Sequence, residues 1–189
     1  MMRRVPILRL APNLLSGSRL LAAPFAAWLI LNNHDTAALL VFAACAASDG
    51  LDGWIARTCG FTSDFGAWLD PAADKLLMLL CYTALCAVGM TPLWLLGLVV
   101  LRDAAIAVGW LLIRMLGLPL STRPLAIGKL STVVQLLYVL VLLLLLAFNL
   151  DAPPLTRMGA WLCGFFTALS GLSYAVVALR AAIGGRRVA

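Results

Sequence analysis

The sequence predicts an all-α integral membrane protein with six transmembrane helices. Of its 189 residues, 63% are hydrophobic and only 12% are charged, and the mean hydropathy is +1.03. Soluble domains carry about 25% charged residues. Apolar runs of the roughly 20 residues that a bilayer requires lie at about 14–32, 37–57, 67–89, 92–114, 130–149 and 156–180.

Turn and charge signals separate these six runs. They lie at Asn32–Asp35, Thr58–Ser63, Gly89–Pro92, Gly117–Lys129 and Asn149–Pro154. Because no internal repeat or soluble appendage is visible, residues 1–189 are expected to form a single membrane domain.

The N-terminal residues 1–12 are predicted to form a short amphipathic segment on the membrane surface. Arg3, Arg4 and Arg9 lie there among apolar residues, as in interfacial helices. A signal peptide is the alternative, since basic residues precede an apolar run. We expect the segment to be retained as the first anchor, because Pro12 and Arg19 interrupt that run.

The basic residues predict the orientation in the membrane. The N-terminus, the connection with Arg57, the loop between the fourth and fifth runs and the tail hold most Lys and Arg, whereas the opposite loops hold only Arg157. The positive-inside rule then places both termini on the cytoplasmic side of the inner membrane. The net charge of +6 is explained by anionic lipid headgroups, so no nucleic-acid partner is expected.

The acidic residues predict a metal site. All eight acids are Asp, and five of them lie between residues 49 and 74. Asp49 and Asp52 are three residues apart, and Asp70 and Asp74 are four apart, so each pair projects from one side of a helix. Two facing helix ends can present all four carboxylates to one point. Mutual repulsion then requires a cation, and oxygen ligands suit Mg²⁺ or Mn²⁺.

Small residues share the helix faces that carry these acids. Gly53 follows Asp49 by four residues, and Gly66 precedes Asp70 by four. Without a Cβ, glycine lets a ligand or a partner helix approach the backbone closely, so helix packing remains the alternative to ligand binding. Arg57 lies at the end of the helix that carries Asp49 and Asp52. It is expected to pair with a phosphate group, and an anchor at the membrane interface is the alternative.

The spacing D-x(2)-D-G-x(2)-A-R-x(8)-G-x(3)-D-x(3)-D resembles the signature of the CDP-alcohol phosphatidyltransferase family. Its fixed positions are all met, by Asp49, Asp52, Gly53, Ala56, Arg57, Gly66, Asp70 and Asp74. Three further segments are similar to the bacterial phosphatidylglycerophosphate synthase and cardiolipin synthase branch. They are Pro12–Leu15 followed by Arg19, Leu69–Lys75, and Gly128–Gln135.

The resemblance implies a six-helix membrane homodimer whose site opens to the cytosol. It implies that a two-metal centre of Mg²⁺ or Mn²⁺ is held by the four signature carboxylates, with Asp74 also the catalytic base. It further implies that CDP is bound by Asp49, Gly53, Ala56, Arg57 and Gly66. Two cations can stabilise the attacking and leaving oxygens, and a carboxylate can take the proton from an acceptor hydroxyl.

Three basic residues are candidates for binding the acceptor. Arg102 lies beside Asp103 inside the fourth apolar run, where an unpaired charge costs several kcal/mol. Arg102 is expected to help bind an anionic acceptor, and an internal ion pair is the alternative. Lys75 and Lys129 are similar candidates, or else lysines that snorkel to the interface.

The predicted function is transfer of a phosphatidyl group from CDP-diacylglycerol to phosphatidylglycerol or glycerol 3-phosphate, with release of CMP, in phospholipid biosynthesis. The alternative is a divalent-cation transporter that uses the intramembrane Asp cluster. Transport explains the charges, but it leaves the fixed offsets of Gly53, Ala56, Arg57 and Gly66 unexplained.

Overall fold

The computed structural model of the chain describes residues 7–59, 64–115 and 126–185. Within these ranges it describes the side chains of residues 17–48, 72–109, 111, 115, 126–177 and 179. This part of the chain contains six helices: α1 (Ile7–Leu31), α2 (Asp35–Cys59), α3 (Asp64–Ala87), α4 (Leu93–Met115), α5 (Ala126–Ala147) and α6 (Pro153–Gly185). The described part of the chain is therefore all-helical, as the sequence predicts.

Three helices end with a residue in the left-handed region. Asn33 follows α1 with φ 59°, Gly89 follows α3 with φ 80°, and Asn149 follows α5 with φ 50°. Glycine and asparagine tolerate this conformation, and it lets the next amide reach back to a carbonyl five residues earlier. The bonds are His34 N to Leu29 O at 2.9 Å, Met90 N to Leu85 O at 2.9 Å and Leu150 N to Leu145 O at 2.8 Å.

The first helix is continuous from Ile7 through Pro12. The boundary predicted between an interfacial segment and the first apolar run therefore falls inside one helix. Residues 1–6 lie outside the described residues, and the position of residues 7–12 on a membrane surface stays a prediction.

The chain divides into two compact units. The first comprises residues 1–90 and 139–151, and the second comprises residues 91–138 and 152–189. In the first unit α1 packs against α3 and α2, and in the second α4 packs against α6.

The surface of the described residues is rich in large apolar side chains. Leu21 is 75% exposed, Trp161 66% and Met115 76%, a degree of apolar exposure that soluble monomers rarely show. By length and composition, two helices in the described residues can cross a bilayer, Ala126–Ala147 and Pro153–Val177. Gly17–Leu31 and Asp35–Ser48 are shorter apolar helices.

Candidate functional site

The buried face of α2 leads directly to the predicted metal-binding positions. Ala38, Phe42 and Cys45 are buried and follow the spacing of four and three residues that marks one helix face. Continued in the same register, this spacing reaches positions 49, 52 and 56. Asp49, Asp52 and Ala56 are thus in register with Ala38, Phe42 and Cys45, which form the buried face in the first part of α2.

The buried face of α3 leads to the second pair of acids from the opposite direction. Ala73, Leu77, Cys81 and Leu85 are buried and follow one another at steps of four residues. Asp74 is three residues before Leu77, and Asp70 is four residues before Asp74. Gly66 lies one further turn before Asp70. Because α2 ends at Cys59 and α3 begins at Asp64, the two pairs of acids occupy helix ends that are adjacent in sequence.

An ion pair joins α1 to this face of α3. Arg19 Nη1 donates a hydrogen bond of 2.8 Å to Asp74 Oδ1. Arg19 continues the buried face of α1, on which Ala23, Ala26 and Ile30 follow it. The arginine is 2% exposed, whereas the Asp74 side chain is 42% exposed. Asp74, the base predicted from the sequence, is thus accessible, and the buried guanidinium of Arg19 binds one of its carboxylate oxygens.

The second helix approaches the same ion pair. Cys45, on the buried face of α2, lies in the neighbourhood of Arg19 and Asp74. Asp49 is one turn beyond Cys45 on the same face. The face of α2 with which Asp49 is in register therefore approaches Arg19 of α1 at Cys45.

The residues fit a divalent-cation centre. Four register positions on two helices carry carboxylates, the hard oxygen ligands that Mg²⁺ and Mn²⁺ prefer, and the described member, Asp74, is accessible. The side chains of Asp49, Asp52 and Asp70 lie outside the described residues, as do those of Ala56 and Arg57. The metal and nucleotide assignments on these residues, and on Gly53 and Gly66, stay predictions.

Arg19 is a site residue that the sequence alone did not single out. Its signal was present, because an arginine inside an apolar run is costly and requires a partner. Asp74 is 55 residues away along the chain, so the partner became apparent only when α1 was packed against α3.

In the second unit, a buried polar cluster surrounds Arg102 of α4. Arg102 is 6% exposed, and its Nη1 donates a 2.7 Å hydrogen bond to Asp103 Oδ1. Its Nη2 lies 2.9 Å from the Ser170 hydroxyl and 3.4 Å from the Gly128 carbonyl. Nearby, Gln135 donates a 2.9 Å hydrogen bond to Thr167. The cluster links α4 to the start of α5 and to α6.

The other two candidates for acceptor binding have exposed side chains. Lys75 follows Asp74 on α3, and Lys129 lies in the first turn of α5. Exposure is compatible with contact to a phosphate and equally with contact to lipid headgroups. Acceptor binding by Lys75, Lys129 and Arg102 stays a prediction.

Comparison with known proteins now identifies the family. A family model described as CDP-alcohol phosphatidyltransferase matches residues 9–179. The chain belongs to the CDP-alcohol phosphatidyltransferase family. The match includes the signature and extends from α1 into α6, so the resemblance based on the signature is confirmed. Membership also makes the protein part of a membrane-bound family.

Individual relatives carry names from both synthase branches. A probable cardiolipin synthase (CMP-forming) of Drosophila melanogaster is 35% identical in an alignment 181 residues long, which covers 86% of this chain and 56% of the relative. A chloroplastic CDP-diacylglycerol–glycerol-3-phosphate 3-phosphatidyltransferase 1 of Oryza sativa is 32% identical in an alignment 183 residues long, which covers 87% of this chain and 56% of that protein.

A bacterial relative matches over more of its length. A probable phosphatidylglycerophosphate synthase of Mycobacterium tuberculosis is 32% identical in an alignment 182 residues long, which covers 93% of this chain and 84% of the relative. This CDP-alcohol phosphatidyltransferase thus spans little more than half the length of the fly and rice relatives and most of the mycobacterial one.

Proposed function

We propose that the protein transfers a phosphatidyl group from CDP-diacylglycerol to a glycerol-type acceptor and releases CMP, as a step of phospholipid biosynthesis. The observation that carries this proposal is the family match over residues 9–179. The relatives' names supply the reaction class, since they include CMP-forming cardiolipin synthases and glycerol-3-phosphate 3-phosphatidyltransferases. Phosphatidylglycerol and glycerol 3-phosphate are accordingly the two acceptors proposed.

The fold argues against the divalent-cation transporter. A route across a membrane needs polar groups along its length, but the described buried face of α2 is apolar from Ala38 to Cys45, and that of α3 is apolar from Leu77 to Leu85. The acids are confined to the adjoining ends of these helices. A site at one end suits an enzyme that acts on a substrate at the membrane surface.

The signature residues have separate proposed roles in the reaction. The four signature aspartates would hold the cation centre, and Arg57 would pair with a phosphate of the nucleotide. Gly53, Ala56 and Gly66 would keep the surface small enough for CDP to approach the helix backbones. When bound, two divalent cations would neutralise the pyrophosphate and stabilise the attacking and leaving oxygens.

Asp74 would act as the base. The acceptor hydroxyl oxygen attacks the phosphorus that carries diacylglycerol, and its proton passes to the Asp74 carboxylate. The bond from this phosphorus to the bridging oxygen breaks, and CMP leaves with the bond's electron pair. The 42% exposure of the Asp74 side chain supports this role, since a base must reach the substrate's proton.

The arrangement in the membrane is part of the proposal. We place all six helices across the inner membrane with both termini and the acids on the cytoplasmic side, following the distribution of Lys and Arg. The apolar exposed side chains of the described residues support a lipid environment. A homodimer is proposed on the family resemblance.

The decisive experiment is a reconstituted reaction with purified full-length protein. CDP-diacylglycerol and Mg²⁺ or Mn²⁺ are supplied with phosphatidylglycerol or glycerol 3-phosphate, and both CMP and the lipid product are identified. We expect CMP release that depends on one of the acceptors and is lost in Asp52→Asn and in EDTA. Lack of CMP release with either acceptor would contradict the proposed function, and undiminished release in excess EDTA would contradict the metal centre.

A further inference from the structure

We infer that Arg19 is a positioning residue, which fixes the orientation of the Asp74 carboxylate and through it the affinity of the site for a divalent cation. The inference rests on the proposed function insofar as Asp74 is assigned to the cation centre and to proton transfer. It adds a residue of α1 to a site otherwise built from α2 and α3.

The ion pair is asymmetric in a way that suits positioning. Arg19 is buried on the helix face shared with Ala23 and Ala26, whereas nearly half of the Asp74 side chain is accessible. The guanidinium therefore contacts Asp74 Oδ1 from the protein interior and leaves an accessible side of the carboxylate. A cation or an acceptor hydroxyl can approach that side without displacing Arg19.

Helix packing alone gives a weak reason for arginine at this position. The neighbouring buried residues of α1 are alanine and isoleucine, and replacing a buried ion pair by apolar residues of similar size is often neutral or stabilising. A buried arginine costs desolvation energy, especially inside a membrane. An effect on Asp74, a carboxylate that it contacts, explains its presence.

Guanidinium chemistry suits the orientation of a carboxylate. The planar, permanently charged fork of arginine restricts the direction of its hydrogen bonds, whereas lysine presents a compact charge on a flexible stem. Groups that hydrogen-bond to metal ligands from behind typically change metal affinity or activity by 10- to 100-fold when removed. Position 19 is therefore expected to affect cation binding even though it supplies no ligand.

The test combines cation binding with turnover. Arg19→Met and Arg19→Lys are purified in the wild-type and Asp74→Asn backgrounds, and Mn²⁺ affinity is measured from the electron paramagnetic resonance signal of free Mn²⁺. We expect Arg19→Met to lower Mn²⁺ affinity, by no more than Asp74→Asn does, and to lower kcat by about 10- to 100-fold, with little change in KM for CDP-diacylglycerol. Arg19→Lys should recover part of the affinity.

The double variant separates positioning from general packing. If Arg19 acts through Asp74, Arg19→Met causes no further loss of Mn²⁺ affinity in the Asp74→Asn background, because coupled residues are not additive. An equal loss in both backgrounds would overturn the inference, as would wild-type Mn²⁺ affinity and kcat in a folded Arg19→Met protein. Arg157→Met, the same substitution at an exposed position, should leave Mn²⁺ affinity, kcat and thermal stability unchanged.

Two remaining outcomes are also decisive. If Arg19→Met does not fold, Arg19→Lys provides the test: a lower kcat at the wild-type thermal midpoint supports positioning, and a wild-type kcat contradicts it. If the wild-type protein binds Mn²⁺ but releases no CMP with either acceptor, the proposed function is wrong, while the Mn²⁺ affinities of the single and double variants still decide the role of Arg19.

Discussion

Arg102 of α4 contacts the Ser170 hydroxyl of α6 through two of its nitrogens, Nε at 3.2 Å and Nη2 at 2.9 Å. The same guanidinium contacts Asp103 and the Gly128 carbonyl. These bonds satisfy a charge that would be costly if left unpaired in the interior. Arg102 thus has the contacts of an internal link between helices, whether or not it also binds the acceptor.

The first prediction concerns this link. Ser170→Ala should lower the stability of the second unit by about 1–3 kcal/mol, because it removes the hydroxyl bound by two guanidinium N–H groups in a buried place. The midpoint of thermal unfolding in detergent measures the effect. Ser173→Ala is the matched control, since Ser173 is half-buried and bonds to the Leu169 carbonyl of its own helix.

The acceptor role of Arg102 is decided by kinetics on the same preparations. If Arg102 binds the acceptor, Arg102→Lys should raise KM for the acceptor, because lysine lacks the planar fork. An unchanged KM together with a lower thermal midpoint would leave Arg102 as an internal link alone.

The second prediction concerns close packing of α6. A Cβ added at Gly159 would lie 2.9 Å from Cδ2 and 3.0 Å from Cε2 of Tyr138. Tyr138 is 5% exposed, so its ring cannot move aside freely, and Gly159→Ala should cost about 1–3 kcal/mol. Thermal unfolding of Gly159→Ala and of Gly159→Ala with Tyr138→Leu checks this, because the second change restores space.

A matched glycine provides the control. A Cβ at Gly97, inside α4, would meet no heavy atom within 4 Å. Gly97→Ala should therefore be neutral or stabilising, by up to about 1 kcal/mol, because alanine favours the helix. Equal destabilisation by both substitutions would contradict the packing explanation.

Features that depend on local sequence were predictable. Asn33, Gly89 and Asn149 end helices at predicted breaks, because these residue types tolerate positive φ. The shared faces of Asp49 with Asp52 and of Asp70 with Asp74 follow from helix periodicity. The start of α1 was less predictable, since the helix continues through Pro12 where the sequence indicated a boundary.

Contacts between distant residues were not predictable from local patterns. Arg102 and Ser170 are 68 residues apart, and serine is too common in membrane helices for one to be chosen as a partner. The sequence indicated that Arg102 needed compensation, and Asp103 alone offered an obvious source. The other two hydrogen-bond partners of Arg102, the Ser170 hydroxyl and the Gly128 carbonyl, are determined by the packing of α4, α5 and α6.

The third prediction concerns the size of the signature glycines. Gly53→Leu or Gly66→Leu should abolish turnover in a folded protein, because the added side chain fills space reserved for the nucleotide or the facing helix. CDP-diacylglycerol binding and monodispersity in detergent are measured together, with Gly97→Leu as the control for folding. Normal binding by a monodisperse variant would contradict the nucleotide role, and misfolding would favour helix packing.

The fourth prediction separates Asp74 from the other acids. If Asp74 both binds a cation and takes the proton, Asp74→Asn should keep much of the affinity for Mn²⁺ and CDP-diacylglycerol. An amide oxygen can still coordinate weakly, but it cannot accept a proton at neutral pH. Turnover should fall by about 10²-fold or more.

The loss should appear in kcat, because proton transfer occurs only in the transition state. Metal-dependent CDP-diacylglycerol binding and single-turnover CMP release are measured on one preparation of Asp74→Asn, with Asp49→Asn beside it. If both variants lose binding equally, Asp74 is a ligand only. If Asp74→Asn keeps wild-type turnover, the base lies elsewhere, and the Arg19 contact then has no role in proton transfer. Because Arg19 remains in place in Asp74→Asn, a selective loss of kcat would identify proton acceptance, and not the position of the side chain, as the missing function.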